Sequence, residues 1–235
     1  MSTYDVKLLE RREIADGTME FHFTWPDGFA FKAGQAVEVL LPEPAGGHAF
    51  SLVNAPFEKE LVIATRMRDS AYKRALRATP PGSGVKLDGP FGSLTLHKNP
   101  ARAAVFIAGG IGITPFMSML RQSARDGMPH RIVLLYSNRR PQDSAFLDEL
   151  QAIARANANF TLVTTMTEAG GAMVDAPMIE AAVKNLPSPV FYVAGPPGLV
   201  EAMRTALENA GVEDVDVRSE EFFGYETAPQ RVEAA

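Results

Sequence analysis

The spacing of apolar and polar positions changes near Asn99 and Pro100. Before this point, short segments that alternate apolar and polar residues are separated by glycine and proline, which is typical of strands. The predicted strands are 4–12, 18–24, 35–41, 50–54, 61–67 and 84–88. Regular short strands joined by turns favour a closed antiparallel sheet, so we expect a Greek-key β-barrel over residues 1–99. Within it, residues 70–78 are predicted to form a short helix.

After residue 100, apolar runs alternate with segments of helical periodicity. The apolar runs are 103–108, 131–136, 160–166, 190–194 and 215–218, and the predicted helices are about 115–126, 143–156, 177–186 and 198–210. This alternation predicts a Rossmann-like parallel α/β domain over residues 100–225, with its ligand at the carboxyl ends of the strands. Residues 226–235 show no apolar periodicity and are predicted to be a loose tail.

Composition narrows the function classes. The chain has 235 residues, a net charge of −5 and no cysteine. The charge argues against nucleic-acid binding, and the lack of cysteine excludes disulfides, thiolate nucleophiles and cysteine-ligated iron–sulfur clusters. The four histidines have no metal-ligand spacing, so no metal site is expected. Since no long apolar stretch or signal-peptide pattern is present, we expect a cytoplasmic protein without a membrane span.

The most informative motif is the run Gly-Gly-Ile-Gly-Ile-Thr-Pro, which begins at Gly109 directly after an apolar strand. Gly109, Gly110 and Gly112 allow the backbone to approach an anion closely. Thr114 is predicted to cap the following helix, with Pro115 at its first position. A helix N-terminus after a glycine turn is typical of sites for the pyrophosphate of a dinucleotide.

Further motifs follow in a characteristic order. They are Phe-Lys-Ala-Gly-Gln-Ala-Val-Glu-Val (31–39), His-Ala-Phe-Ser-Leu-Val-Asn (48–54), Leu-Tyr-Ser-Asn-Arg-Arg (135–140), Val-Ala-Gly-Pro-Pro-Gly (193–198) and Glu-Glu-Phe-Phe-Gly-Tyr (220–225). With the glycine turn, they resemble the ferredoxin–NADP⁺ reductase superfamily across nearly the whole chain. The resemblance implies that the barrel binds a flavin and that the second domain binds NAD(P)H. We expect the flavin to be FAD, with FMN as the alternative. The resemblance also implies that hydride passes from nicotinamide to flavin and electrons leave to a separate ferredoxin, flavodoxin or oxygenase component.

The resemblance assigns roles at the flavin. The Arg-x-Tyr-Ser motif of the family stands here as His48-Ala49-Phe50-Ser51. Ser51 is implied to hydrogen-bond the reactive edge of the flavin and Phe50 to pack on it, while His48 replaces the arginine that pairs with the flavin phosphate. A neutral imidazole binds phosphate less well than a guanidinium does. Arg66, Arg68 or Lys73 is expected to compensate. Asp69 or Ser70 is expected to cap the short helix, whose free amides then meet the flavin phosphate.

On the nucleotide side, the resemblance implies that Phe223 covers the flavin face and that Glu221 lies near the nicotinamide. Ala194 stands where many members have cysteine. The remaining residues expected to bind the nucleotide are Ser137, Asn138, Arg139, Arg140, Gly195 and Pro196. Because the second strand of this domain is followed by arginines, with no acid before Asp143, we expect NADPH to be preferred over NADH.

The sequence leaves three functions open. The leading interpretation is an NAD(P)H-dependent flavoprotein reductase. One alternative is a free-flavin reductase, in which flavin is a substrate, and the predicted helix at 70–78 argues against it if that helix holds phosphate. The other alternative is a non-catalytic nucleotide-sensing or electron-transfer subunit, because fold alone does not fix function.

Overall fold

The computed structural model describes residues 2–42, 45–171 and 173–223. The described part of residues 2–91 holds six strands, namely β1 (Ser2–Ala15), β2 (Thr18–Thr24), β3 (Ala36–Leu41), β4 (Gly46–Ser51), β5 (Glu60–Arg66) and β6 (Gly84–Phe91). They form an antiparallel sheet in the order β4-β3-β6-β1-β2-β5. A bridge between Leu52 and Ile63 joins the two outer strands, so the sheet closes on itself.

The interior of this sheet is filled by alternating apolar side chains. Phe21, Phe23 and Ile63 are fully buried there. The predicted short helix is confirmed as α1 (Ala71–Ala78), which places Tyr72 and Leu76 against the same core. Because alternate residues of each strand must face this core, the apolar pattern fixes which side chains point outward.

The second half contains a parallel sheet covered by helices. Within the described residues its strands are β7 (Ala104–Gly109), β8 (Ile132–Asn138), β9 (Phe160–Met166), β10 (Val190–Gly195) and β11 (Val217–Glu221). The helices are α2 (Thr114–Arg125), α3 (Leu147–Ala156), α4 (Ala176–Val183) and α5 (Pro197–Asn209). The strand order is β11-β10-β7-β8-β9. The predicted fold class, an antiparallel barrel followed by a Rossmann-like parallel sheet, is confirmed.

The strand order positions a ligand site. The chain moves outward from β7 through β8 to β9, then returns to the other side of β7 for β10 and β11. The neighbours β7 and β10 therefore flank the switch point, beyond whose carboxyl edge α/β sheets bind ligands. The glycine loop after β7 and the turn after β10 both lie at that edge.

Some predicted boundaries were wrong. The fourth strand is Gly46–Ser51 rather than 50–54, so Ser51 is the last residue of the strand instead of the second. Helix α3 begins at Leu147 rather than at 143, because Phe146 has a φ of 61° that no α-helix accommodates. The predicted tail at 226–235 lies outside the described residues. The division of the chain at residues 99 and 100 stays a prediction. Among the described helices, none combines the length and the apolar character needed to cross a bilayer.

Candidate functional site

A cleft of about 260 Å³ lies where strand ends of the two sheets converge. The first sheet contributes residues of β4 and β5, and the second contributes the loop after β7 and the end of β11. The predicted site residues that line it are His48, Phe50, Ser51, Arg66, Arg68, Lys73, Thr114, Glu221 and Phe223. Residues far apart in the chain are thus brought to one place, and a ligand in this cleft touches both halves of the protein.

A serine and a glutamate from different sheets meet in this cleft. Ser51 is 4% exposed, and its Oγ donates a hydrogen bond to Oε1 of Glu220 at 3.1 Å. Burial raises the pKa of Glu220, and the hydrogen bond from Ser51 opposes that rise. The pair therefore places at the cleft a hydroxyl group and a carboxyl group with increased proton affinity, joined by one hydrogen bond.

Sequence reasoning singled out Glu221 and missed Glu220. The two residues are neighbours on β11, so their side chains leave opposite faces of the strand. Glu220 is the one that reaches Ser51, whereas Glu221 is exposed and also lines the cleft. Extending the strand pattern through 217–221 would have shown that these two carboxylates are not equivalent.

Phe223 lies at the cleft with 77% of its surface exposed. The segment before it is fixed, because the Phe222 amide donates to the Gly195 carbonyl at 2.9 Å. A flat ligand that occupied the cleft and covered this ring would remove its apolar surface from water, which would stabilise the bound ligand. The rest of its motif, from Gly224 onward, lies outside the described residues.

A cluster of three rings supports the wall of the cleft that His48 and Phe50 form. Tyr72 of α1 lies 4.2 Å from the His48 ring and 6.0 Å from the Phe50 ring, measured between ring centroids. The Tyr72 hydroxyl donates to the Val39 carbonyl at 2.8 Å, and burial raises the pKa of this phenol. Packing against an anchored tyrosine holds His48 and Phe50 in place.

Basic groups collect at one end of the cleft. Burial, with a contribution from Arg68, lowers the pKa of Lys73 to about 8. Burial, with a contribution from Lys73, also lowers the pKa of His48. A bound anion would relieve both effects, since it favours the charged forms. Lys73 Nζ donates to the Arg66 carbonyl at 2.6 Å, which keeps the ammonium beside the cleft.

Two predicted phosphate contacts have other partners in the structure. Ser70 caps α1, where its side chain accepts from the Lys73 amide at 3.2 Å. The Arg66 guanidinium donates to Oδ1 of Asp143 at 3.2 Å, and Asp143 belongs to the second half of the chain. Asp143 was not predicted as a site residue, although it links Arg66, which lines the cleft, to the second half of the chain.

The glycine loop packs directly against the end of β10. A Cβ atom on Gly112 would lie 2.2 Å from the Ala194 carbonyl oxygen and 2.7 Å from the Gly195 Cα. Glycine is therefore required at residue 112 by backbone packing alone. This contact joins the predicted nucleotide residues Gly195 and Pro196 to the loop at Gly109 and Gly110.

The predicted cap at Thr114 was wrong. Residues Gly110–Ile113 form a 3-10 turn, which leaves Ile113 as the N-cap of α2 and makes Thr114 its first residue. The Thr114 hydroxyl donates to the Ile111 carbonyl at 3.1 Å instead of accepting from an amide. Pro115 is therefore the second residue of α2 rather than the first, and it still lies in the first turn. Since no described side chain caps α2, the positive end of its helix dipole remains available to bind an anion.

The edge beyond β8 carries the predicted nucleotide residues. Ser137 pairs in register with Gly109, so this edge adjoins the glycine loop. Asn138 is 5% exposed, and its side-chain amide has no hydrogen-bond partner among the described residues. Arg139 and Arg140 are both ion-paired with Asp143. Hydrogen bonds from Arg140, against the opposing effect of burial, hold the pKa of Asp143 below its usual value.

Comparison with known proteins agrees with this geometry. The model of the oxidoreductase NAD-binding domain matches residues 106–205. The ferredoxin–NADP reductase B of Sorangium cellulosum is 31% identical over 173 residues, which cover 71% of each chain. The chain belongs to the ferredoxin–NADP⁺ reductase superfamily. A ferredoxin NADP⁺ reductase from Neisseria gonorrhoeae, solved with bound FAD and NADP, has the same fold at a TM-score of 0.81 and 22% identity, covering 95% of this chain and all of that one.

Members of the ferredoxin–NADP⁺ reductase superfamily also occur as parts of larger proteins. The reductase component of propane 2-monooxygenase from Rhodococcus jostii is 27% identical, and the match covers 79% of this chain but 54% of that protein. The chain thus spans about half the length of this oxygenase reductase.

Proposed function

We propose that this chain is a flavin-dependent NAD(P)H oxidoreductase, with FAD as cofactor and NADPH as the preferred donor. The observation that carries the proposal is the 3.1 Å hydrogen bond between Ser51 and Glu220, which joins the two halves beside the glycine loop. When bound, a flavin supplies the chemistry that the side chains lack, because it accepts two electrons as hydride and releases them singly.

The residues of the cleft fit a flavin. Phe50 and Phe223 offer apolar faces, and Ser51 offers a hydrogen-bond donor. Lys73 and Arg68 offer cations at one end of the same cleft. This donor set matches a planar polar ring system that ends in a phosphate. Ser51 would orient the ring edge, and the carboxyl group of Glu220 would hold a proton next to it, with Glu221 as a second carboxyl nearby.

The nucleotide site is supported by the edge between β7 and β10. The uncapped start of α2 and the glycine loop provide amides for a pyrophosphate. Gly195 and Pro196 lie against that loop, close to the segment that carries Phe223. Ser137, Asn138 and the arginines after them extend the same edge, and we assign them to the adenosine end of the nucleotide.

The electron acceptor in this proposal is a separate redox protein, namely a ferredoxin, a flavodoxin or an oxygenase component. The names of the relatives support this class, since one is a ferredoxin–NADP reductase and another is the reductase component of a monooxygenase. A cytoplasmic location is part of the same proposal, because a reductase that consumes NAD(P)H needs access to that pool. Cell fractionation tests the location.

Spectroscopy and turnover test the function. The purified protein should be yellow and should release FAD in equimolar amount on denaturation. NADPH should bleach the bound flavin and support reduction of a one-electron acceptor such as ferricyanide. A colourless protein that does not bind added FAD or FMN at micromolar concentration would contradict the proposal. Turnover that requires excess free flavin would instead identify a free-flavin reductase. In that case the reduced flavin dissociates from the protein as a product.

A matched pair of variants localises the chemistry. Ser219 is next to Glu220 in the chain, but it is exposed and its hydroxyl accepts from Arg204 instead of facing Ser51. Flavin reduction should therefore slow in Ser51→Ala and proceed normally in Ser219→Ala. Equal rates in the two variants with flavin bound would remove Ser51 from the proposed chemistry. Bound nucleotide without any electron transfer would favour the non-catalytic alternative.

A further inference from the structure

The positive charges of Arg139 and Arg140, which follow β8, are paired with carboxylates of the protein itself. Nη2 of Arg140 lies 2.9 Å from Oδ1 of Asp143, and Nε of Arg139 lies 3.6 Å from Oδ2. The Asp143 side chain is 2% exposed, so this pairing is built into the fold. Arg140 also lies 2.8 Å from Asp16, at the turn between β1 and β2.

A further carboxylate reaches the same arginines from the neighbouring strand. Glu168 follows β9, and its amide donates to the Arg139 carbonyl at 2.9 Å. Its carboxylate oxygens lie 3.9 Å from Nη1 of Arg139 and 3.9 Å from Nε of Arg140. Unlike Asp143, Glu168 has a half-exposed side chain, so it lies where a ligand approaching the arginines would meet it.

The charge at this edge is therefore balanced among the described residues. Arg66, Arg139 and Arg140 face Asp16, Asp143 and Glu168. A sequence that reads Arg-Arg after the second strand predicts an excess of positive charge. The folded chain offers a 2′-phosphate no such excess, because Asp143 follows the arginines in the same loop and the other two carboxylates come from the β1–β2 turn and from the segment after β9.

We propose that Glu168 is a specificity-determining residue that limits the preference for NADPH over NADH. The inference rests on the proposed function, since it requires a nucleotide at the edge beyond β8. A 2′-phosphate needs the guanidinium groups of Arg139 and Arg140, and it must compete for them with Glu168. The like charges of phosphate and carboxylate also repel each other. NADH carries only a hydroxyl at this place and is unaffected, so Glu168 acts selectively against one nucleotide.

Glu168 is the carboxylate that an experiment can remove cleanly. Asp143 is buried and also pairs with the partly exposed Arg66, so its loss removes several ion pairs at once and disturbs the fold. Glu168 makes long ion pairs at an exposed position, which contribute little to stability. Its backbone position depends on its amide rather than on its carboxylate. Glu168→Gln therefore removes the charge and leaves the edge in place.

Measuring the binding of nucleotide fragments separates the effect of Glu168 on affinity from any effect on catalysis. We would titrate 2′,5′-ADP and 5′-AMP by calorimetry into the wild type, Glu168→Gln and the control Glu208→Gln. Glu208 is exposed near the end of α5, which begins at the carboxyl edge of the sheet and runs away from it. In Glu168→Gln, 2′,5′-ADP should bind about tenfold more tightly while 5′-AMP binds as before. The ratio of kcat/KM for NADPH over that for NADH should rise by the same factor.

The possible outcomes distinguish the role of Glu168 from the proposed reductase activity. Unchanged affinity for 2′,5′-ADP, or equal gains for both fragments, would overturn the role of Glu168. The same gain in Glu208→Gln would also overturn it, since a general change of net charge would then explain the result. If the fragments respond as expected but neither NADPH nor NADH is oxidised, the inference stands and the proposed reductase activity fails. If the wild type binds neither fragment, the inference about Glu168 fails, and turnover with NADPH decides the proposed function.

Discussion

Gly112→Ala tests the packing that joins the glycine loop to the end of β10. The added Cβ would lie 2.2 Å from the carbonyl oxygen of Ala194, 2.5 Å from its carbonyl carbon and 2.7 Å from the Cα of Gly195. All three atoms belong to the backbone, so no side-chain rotation relieves the overlap. Either the loop or the end of the strand must move.

The expected cost follows from that geometry. Overpacking a well-packed interior costs about 1–3 kcal/mol when neighbouring side chains adjust. Because Gly112 meets backbone of a central strand, we expect the upper end of this range, about 3 kcal/mol. For a chain of this size, 1 kcal/mol lowers Tm by about 2–4 °C, so Tm should fall by about 6–12 °C. NADPH affinity should fall with it, because the amides of the loop move away from Gly195.

Calorimetric melting of Gly112→Ala and Gly198→Ala measures the effect against a matched control. A Cβ on Gly198 meets nothing within 4 Å, and the residue lies in α5. Alanine stabilises a helix relative to glycine by about 0.5–1 kcal/mol, so the control should melt at or slightly above the wild-type Tm. Wild-type melting and wild-type NADPH affinity in Gly112→Ala would refute the close contact between the two loops.

Other predictions concern the cleft and one distant histidine. Ser51→Ala should slow flavin reduction on the order of 10²-fold in stopped flow, since it removes one preorganised donor; reduction at the wild-type rate would contradict this. Phe223→Ser should alter the flavin absorption spectrum and strengthen NADP⁺ binding, and unchanged spectra and binding would assign the ring to a structural role. The hydrogen bond with Glu20, against opposing burial and with help from Glu60, raises the pKa of His22. The stability from this pair is full below about pH 6.5 and is lost as pH rises through the raised pKa. Urea unfolding across this range should show the loss in the wild type and not in His22→Gln.

Local signals in the sequence determined the order of elements and the fold class. Alternation with a period of two marks strands such as β2, and the longer period marks helices such as α2, because each must bury one face. The glycine loop and the Ser51 motif could also be recognised in the sequence, since their residue types are restricted by backbone geometry and by chemistry. The exact ends of the helices and strands could not be predicted from the sequence. The 3-10 turn at Gly110–Ile113 depends on packing against β10, and it moved Thr114 from the cap into the helix.

Pairings between distant residues were decided by the tertiary structure alone. Glu220 reaches Ser51 across 169 positions of sequence, and strand register selects it over Glu221. Asp16, Asp143 and Glu168 surround arginines that the sequence presents as free cations. A sequence pattern records which face a residue takes within its own element, whereas electrostatic balance depends on which elements meet. The sequence therefore determines the residue types of this site. Their ion-pair and hydrogen-bond partners are determined only by the packing of the folded chain.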